Sequence, residues 1–184
     1  MNHPHAQIEK LSRMLESFTE DQEADAAVAL LLRMVNQHLE ALFVKRVDRP
    51  TDPWSGQMAL PGGKREAKDE NLRQTVIRET LEETGIDPLH GCQILGVLKT
   101  TTSAVKPEIR VLPVVILLEH QPLIKLNKKE LERFVWIPIR ELFNHKGTVK
   151  FSLGEFPAYV VGNNIIWGMT YRIVEDLLHT LEKS

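Results

Sequence analysis

The sequence predicts one domain of the α+β class, in which helices cover a mixed sheet. A length of 184 residues with 42% hydrophobic content suits one buried core better than two. Strand patterns dominate the middle of the chain, and the helical patterns are few and scattered. A doubly wound parallel sheet would instead alternate strands and helices regularly. We therefore expect a sandwich of helices and a mixed sheet.

The first element is predicted from apolar residues at helical spacing. Residues 7–18 place five of them on one face, namely Ile8, Leu11, Met14, Leu15 and Phe18. An acidic stretch at residues 20–25 ends this pattern. We expect residues 1–22 to hold an N-terminal helix that is part of the same unit as a single domain over residues 23–184.

Two apolar runs after this helix predict a hairpin. The runs AAVALLLRMV and LEALFVKRV are separated by Asn36, Gln37 and His38, which suits two strands joined by a short turn. Prolines in residues 48–55 predict a loop, and residues 57–60 predict a short extended piece that ends at Pro-Gly-Gly.

The next helix has signals at both ends. Asp69 or Asn71 can cap its start, it runs to about Thr84, and Gly85 supplies a C-terminal stop. The remaining predictions are strands at 93–100, 109–118 and 134–137, a short helix at 139–143, extended pieces at 149–151 and 157–161, and a terminal helix at 165–181.

Charge and composition exclude several classes of function. The net charge of −2 gives no global positive field, so we expect no nucleic-acid partner, and any phosphate must be bound locally. Cys92 is the one cysteine, which excludes a cysteine-rich zinc site and an internal disulfide. No apolar run approaches the roughly 20 residues of a membrane span, and the N-terminus lacks a secretory signal pattern. We expect a cytoplasmic protein.

The helix after the glycines carries carboxylates on an apolar face. Leu72, Val76, Glu79 and Glu83 fall on one stripe at about 100 degrees per residue, with Glu82 about a quarter turn away. Burying unpaired like charges is unfavourable, so a cation is expected between them. Oxygen donors one turn apart suit Mg²⁺ or Mn²⁺. An exposed helix with ordinary ion pairs, such as Arg78 with Glu82, is the alternative.

Gly62 and Gly63 before the helix let the backbone turn sharply and approach neighbouring atoms closely. A nucleotide P-loop does not fit this segment. Gly56 and Gly63 are separated by six residues rather than four, and Lys64 precedes Arg65 rather than Ser or Thr.

Together these residues resemble the Nudix box, G x5 E x7 R E U x E E x G U with U aliphatic. Matching positions are Glu70, Arg78, Glu79, Glu82, Glu83, Gly85 and Ile86. Thr80 departs from the pattern at an aliphatic position. Six residues rather than five separate Gly63 from Glu70, and Asp69 is a candidate substitute for Glu70.

The resemblance implies an α/β/α sandwich and Mg²⁺-dependent or Mn²⁺-dependent hydrolysis of a nucleoside diphosphate linked to another moiety. By position, Glu79 and Glu83 would be the principal metal ligands and Glu82 an additional ligand or base. Arg78 and Glu70 would orient the loop and the helix.

A broader resemblance points to the coenzyme A pyrophosphatase branch of the family. The segments SGQMALPGG, IRVLPVV, NKKELERFVWIP and IIWGMTYRI carry it. The coenzyme A motif itself is incomplete, because LFVKR replaces L-L-T-x-R and Asp52 stands where a downstream arginine is expected. Coenzyme A, ADP-ribose and nucleotide sugars are the candidate substrates.

Further candidates lie outside the box. Glu130 or Glu132 could supply a catalytic base from a loop, or Glu130 could be a solvated residue at a strand edge. Arg46, Gly62, Gly63 and Lys64 are the candidate substrate-binding residues, and Arg49 and Arg65 are further cations near the glycines. Trp54 could stack on a base or pack as a lid.

Two other functions stay open at this stage. The chain could be a nucleotide-sensing module that keeps the fold without catalysis, or a pyrophosphohydrolase of oxidised nucleoside triphosphates. A homodimer is a candidate assembly. Trp167, Tyr171 and Leu178 recur at helical intervals and are expected as core or dimer contacts.

Overall fold

The protein is described here from a computed structural model, which describes residues 4–51, 54–104 and 106–183. The helices and strands within these residues are α1 (Pro4–Met14), β1 (Ala26–Val35), β2 (His38–Arg46), β3 (Met58–Ala59), β4 (Gly62–Lys64), α2 (Leu72–Thr84), β5 (Cys92–Val97), β6 (Thr101–Thr102), β7 (Arg110–Leu118), β8 (Leu131–Pro138), α3 (Ile139–Asn144), β9 (Lys146–Phe151), β10 (Gly154–Val161), β11 (Asn164–Trp167) and α4 (Gly168–Lys183).

The main sheet is mixed. Its central path is β3-β2-β1-β7-β5, while β4 pairs with β1, β6 with β7 and β8 with β2. β1 and β7 run parallel, from Ala26 opposite Val111 to Arg33 opposite Leu118, and the other pairs are antiparallel. Strands β11, β10 and β9 form a second, antiparallel sheet. The predicted α+β class is confirmed.

Helices cover both faces of the main sheet. Successive side chains of β1 point to opposite faces, so alternate residues of this strand pack against different helices. Val28, Leu30 and Leu32 join one apolar cluster with residues of α1 and α4, including Leu11 and Leu177. The alternate residues Ala27, Ala29 and Leu31 join a second cluster, with Leu72 and Val76 of α2. The expected α/β/α sandwich is therefore present. Packing of α1 into the first cluster supports the proposal of a single unit.

The hairpin turn between β1 and β2 is confirmed at the predicted place. Asn36 and Gln37 have φ values of 46° and 67°, and Val35 pairs with His38 across the turn. Two consecutive left-handed residues are the geometry of a type I′ turn, whose twist matches that of the flanking strands.

Two helix boundaries differ from the sequence prediction, and sheet pairing explains both. The N-terminal helix ends at Met14, because the backbone of Glu16 exchanges two hydrogen bonds with Val97 at the edge of the sheet. The terminal helix starts at Gly168 rather than at residue 165, because β11 pairs with β10 as far as Trp167. Trp167 is therefore a strand residue. Within the described residues, no helix is both long enough and apolar enough to span a bilayer.

Candidate active site

Helix α2 is fixed at both ends. The Asn71 side chain accepts a hydrogen bond from the Gln74 amide at 3.1 Å, so Asn71 rather than Asp69 is the N-cap. Gly85, at φ 73°, closes the other end by donating its N–H to the Leu81 carbonyl at 2.9 Å. Because Leu72 and Val76 pack on the sheet, the next residues on that stripe face β4.

The two glycines of β4 let the strand lie directly against the carboxylates of α2. The Gly62 amide donates a hydrogen bond to Oε2 of Glu83 at 2.9 Å. A Cβ on Gly63 would lie 2.5 Å from Oε1 of Glu79, so only glycine leaves room for that carboxylate. Gly62 has a φ of 149°, and a Cβ there would meet the Ala27 carbonyl oxygen at 2.3 Å.

Arg78 holds the loop and the helix together. Its guanidinium donates to both carboxylate oxygens of Asp69, at 3.1 and 2.8 Å, to Glu79 Oε1 at 2.7 Å and to the Lys64 carbonyl at 3.1 Å. The hydrogen bonds from Arg78 lower the pKa of the Asp69 carboxyl, and those to Asp69 raise the pKa of Arg78. Its contact to Glu82 is longer, at 3.5 Å.

The acidic partner of Arg78 is Asp69 and not Glu70. Asp69 is buried and also accepts hydrogen bonds from the Thr75 hydroxyl at 3.0 Å and the Glu66 amide at 2.9 Å. Glu70 is exposed, and its carboxylate accepts from the Gln74 side chain at 2.9 Å. Of the two sequence alternatives, Asp69 makes the orienting contact. The expected orienting role of Glu70 is therefore taken by Asp69, its candidate substitute, which accepts both hydrogen bonds from Arg78.

Glu79 and Glu83 are held where an anion is poorly stabilised. Glu83 is 4% exposed, and burial raises its pKa to about 8, with the charge of Glu79 acting in the same direction. Burial also raises the pKa of Glu79, against the opposing effect of Arg78. The Glu82 side chain, by contrast, is 54% exposed. Arg78 pairs with Glu79, and no cation among the described residues is in direct contact with the Glu83 carboxylate, so the ionised pair would be stabilised by a further positive charge.

The donor set fits Mg²⁺ or Mn²⁺ with some ligands from outside the protein. Glu79 and Glu83 offer hard carboxylate oxygens, and the lack of a side chain at Gly63 leaves room for the Glu79 carboxylate itself. The part of the chain that the structure describes has no group of three or more His, Cys, Asp or Glu side chains placed to hold an ion by themselves. Substrate phosphate and water would have to complete the coordination, which is usual for Mg²⁺.

Glu130 and Arg46 lie near these carboxylates although they are distant in sequence. The charge of Glu130 acts on Glu79 and Glu83, and that of Arg46 acts on Glu83. The Val47 amide donates to the Glu130 carbonyl at 2.9 Å, which joins the end of β2 to the loop before β8. Glu132 instead pairs with Lys45 at 2.7 Å, so Glu130 is the better placed of the two candidate bases.

An apolar cavity of about 290 Å³ opens beside Gly62 and Gly63. Its lining includes Trp54, Met58, Leu60 and Trp167, with Arg46 and Lys64 as cations. Trp54 forms a wall of this cavity, and its indole N–H donates to the Ser103 hydroxyl at 3.3 Å. The sequence assigned Trp167 to a helix, so its place in this lining could not be foreseen.

Lys64 and Arg65 differ in what their side chains do. Lys64 is exposed and lines the apolar cavity. Arg65 donates instead to the carbonyls of Asp69 and Glu70, at 3.1 and 2.6 Å, so it closes the loop before α2. Asp52, which stands in place of the arginine of the coenzyme A motif, lies outside the described residues.

Comparison with known families decides the assignment of the chain. The family model of the NUDIX domain matches residues 23–158. The chain belongs to the Nudix family. The stretch from Gly63 to Ile86 is therefore a Nudix box, with Asp69 at the first acidic position.

This Nudix protein is similar in sequence to other proteins and similar in fold to solved structures. An uncharacterized protein of Schizosaccharomyces pombe is 37% identical over 106 residues, which are 55% of this chain and 32% of the relative. A peroxisomal coenzyme A diphosphatase of Caenorhabditis elegans is 31% identical over 136 residues, which are 73% of this chain and 57% of the relative. A MutT/nudix family protein of Enterococcus faecalis has a TM-score of 0.60 at 17% identity, over 92% of this chain and 66% of that chain.

These similarities concern the fold and the branch of the family. The solved structure shares the fold. The worm relative confirms the resemblance to the coenzyme A pyrophosphatase branch. The chain spans 32% and 57% of the length of the two relatives.

Proposed function

We propose that this Nudix protein hydrolyses the diphosphate of a nucleoside diphosphate linked to another moiety, with Mg²⁺ or Mn²⁺ as cofactor. One observation carries the proposal. Glu79 and Glu83 lie on the buried face of α2 against the two glycines of β4, and burial raises the pKa of both carboxyls. A divalent cation with a diphosphate supplies the charge that this arrangement lacks.

Each residue of the site would have its own role in the reaction. Glu79 and Glu83 would hold the cation, with Glu82 as a further ligand at the exposed edge. When bound, the metal would neutralise phosphate charge and make water more acidic. Arg78, fixed by Asp69, sets the direction of the Glu79 carboxylate. Glu130 would accept the proton of the attacking water, and Arg46 would contact substrate phosphate.

Coenzyme A is the first substrate to test. The apolar cavity beside the glycines can take an uncharged arm attached to the diphosphate, and the worm relative is named as a coenzyme A diphosphatase. ADP-ribose and nucleotide sugars are the other candidates. Cytoplasmic location and a homodimer stay predictions, and the worm relative is named as a peroxisomal protein.

The experiment compares hydrolysis by the purified chain with Mg²⁺, with Mn²⁺ and with EDTA. Its substrates are coenzyme A, ADP-ribose, a nucleotide sugar and an oxidised nucleoside triphosphate. We expect metal-dependent cleavage of coenzyme A into two phosphate-bearing products. Glu83→Gln should lower kcat/KM by about 100-fold or more, because it removes a ligand charge. Glu70→Gln is the matched control and should keep full activity, since Glu70 is exposed and contacts neither Arg78 nor the carboxylate pair.

Two outcomes would replace the proposal. Tight ADP-ribose binding without turnover of any substrate would favour the nucleotide-sensing module. Preferred cleavage of the oxidised triphosphate would assign the alternative hydrolase function. Full activity of Glu83→Gln would refute the proposal that the carboxylates of α2 bind a catalytic metal.

A further inference from the structure

A second cavity of about 290 Å³ lies beside the candidate active site and is rich in cations. Its lining is Arg46, Val47, Arg49, Lys129 and Glu130, which we call the cationic pocket. Three of these five residues are positively charged and one is negatively charged. Arg46 also lines the apolar cavity beside Gly62 and Gly63, so the two cavities meet at this residue.

Two hydrogen bonds fix the walls of the cationic pocket relative to each other. The Val47 amide donates to the Glu130 carbonyl at 2.9 Å, and the Arg49 guanidinium donates to the Lys129 carbonyl. The segment after β2 and the segment before β8 are therefore joined on both sides of the cavity. Its cations are held close together before any ligand arrives, and ligand binding would not have to order these segments.

Two of the cations that line the pocket, Arg49 and Lys129, are not neutralised by a described carboxylate. Among the described residues, neither the Arg49 guanidinium nor the Lys129 ammonium is in an ion pair. The Glu130 carboxylate accepts a hydrogen bond from the Asn127 side chain at 2.9 Å. The nearby Lys45 shows the contrast, because its ammonium pairs with Glu132 at 2.7 Å. The positive charges of Arg49 and Lys129 repel each other, and a bound anion would relieve that repulsion.

We propose that the cationic pocket binds a phosphomonoester that the substrate carries in addition to its diphosphate, with Arg49 and Lys129 as its specificity residues. This inference rests on the proposed function, which places the diphosphate at Glu79 and Glu83, next to Arg46. One arm of the substrate then enters the apolar cavity and the other enters the cationic pocket. A phosphomonoester carries a charge of about −1.5 to −2 near neutral pH and matches the forked donors of arginine.

The pocket also bears on the incomplete coenzyme A motif. Asp52 replaces the downstream arginine of that motif, which removes a positive charge expected near the substrate. Arg49 stands three residues earlier in the sequence, and Lys129 comes from a different segment. Together they supply a positively charged wall that the motif comparison alone does not show.

The test compares coenzyme A with dephospho-coenzyme A, which has the same diphosphate but lacks the phosphomonoester on the ribose. We expect a kcat/KM for coenzyme A about tenfold or more above that for dephospho-coenzyme A. Arg49→Gln and Lys129→Gln should each lower this ratio by about fivefold to tenfold through KM, because each loses a charge-assisted hydrogen bond. Lys128→Gln is the matched control and should keep the ratio, since the Lys128 ammonium donates to the Glu132 carbonyl. A ratio near one, or a ratio unchanged in both pocket variants, would overturn the proposal.

A binding measurement separates this proposal from the proposed function. Titration calorimetry with adenosine 3′,5′-bisphosphate and with AMP requires no turnover. We expect the bisphosphate to bind about tenfold more tightly than AMP, and we expect that difference to disappear in Arg49→Gln. Equal affinities would overturn the phosphomonoester site even if coenzyme A is cleaved. Selective binding without any cleavage would keep the pocket and reject the hydrolase.

Discussion

Two buried carboxyl groups of the Nudix box, those of Asp69 and Glu83, have opposite electrostatic environments. Asp69 and Glu83 are 5% and 4% exposed. Asp69 receives both ends of a guanidinium fork, which lowers its pKa, whereas burial raises the pKa of Glu83 to about 8. Burial is therefore not what separates them. The difference is that a guanidinium contacts Asp69 directly, whereas Glu83 accepts a hydrogen bond from the Gly62 amide and is affected by the charge of Arg46 without direct contact.

This difference separates a structural carboxylate from a functional one. A buried ion pair that is completely hydrogen-bonded fixes geometry, and Asp69 fixes Arg78 between the loop and α2. A buried carboxyl without a cation lowers the stability of the apo protein above its unfolded pKa, yet it becomes favourable when a cation binds. The Nudix box thus places a hydrogen-bonded ion pair beside the carboxylate pair for which we propose an external cation.

Removing the charge of Asp69 should have the largest effect on stability. In Asp69→Asn, Arg78 would lose the carboxylate that accepts two of its hydrogen bonds and would keep only its pairing with the glutamates of α2 and of the loop, in a site where the Arg78 side chain is 12% exposed. We expect the free energy of unfolding in urea at pH 7 with EDTA to fall by about 4 kcal/mol. The Glu70→Gln control should stay within about 0.5 kcal/mol of the wild type, because Glu70 is exposed. A loss below about 1 kcal/mol in Asp69→Asn would refute the structural role.

The pH dependence of stability should be opposite for the two groups. The folded pKa of Asp69 is lowered, so its contribution is present above the unfolded value of 3.8 and is lost as the pH falls below it. The folded pKa of Glu83 is raised from 4.5 to about 8, so its contribution is present below 4.5 and is lost as the pH rises toward 8.

Glu83→Gln isolates the second effect. In EDTA, as the pH rises from 5 to 8, the wild type should lose about 3 kcal/mol of unfolding free energy relative to Glu83→Gln. Urea denaturation at several pH values measures this shift. Saturating Mn²⁺ should remove it, because the ion binds the ionised carboxylate. Parallel stability curves in EDTA would show that Glu83 is not destabilised by burial.

The sequence predicted those features of this site that depend on one helix. The stripe of Leu72, Val76, Glu79 and Glu83 requires only the helical period, and the structure puts these residues on the face that packs toward the sheet. The choice between Asp69 and Glu70 could not be made in this way. It depends on which carboxyl group the loop turns toward Arg78, and hydrogen bonds to Thr75 and Glu66 decide that.

Features built from distant segments were harder to predict. Glu130 was a candidate from its region of the chain, but its position beside Glu83 depends on the join between the end of β2 and the loop before β8. The period of the neighbouring residues predicts a helix at Trp167, and strand pairing with β10 overrides that preference. Local periodicity carries no information about which edge of a sheet accepts another strand.

The smallest expected effect comes from Gly63, and it tests whether the geometry of the carboxylate pair matters separately from its charge. In Gly63→Ala, the new Cβ would lie 2.5 Å from Glu79 Oε1, which is the end of a flexible side chain and can move. We expect little change in stability, and a loss of Mn²⁺ affinity of about tenfold as Glu79 is displaced. Electron paramagnetic resonance of free Mn²⁺ measures the affinity.

Gly62→Ala is the matched comparison. Its Cβ would meet the Ala27 backbone oxygen at 2.3 Å, and the backbone cannot move aside, so the free energy of unfolding should fall in this variant. Unchanged Mn²⁺ affinity in a folded Gly63→Ala protein would mean that the glycine serves chain packing and not the carboxylate pair.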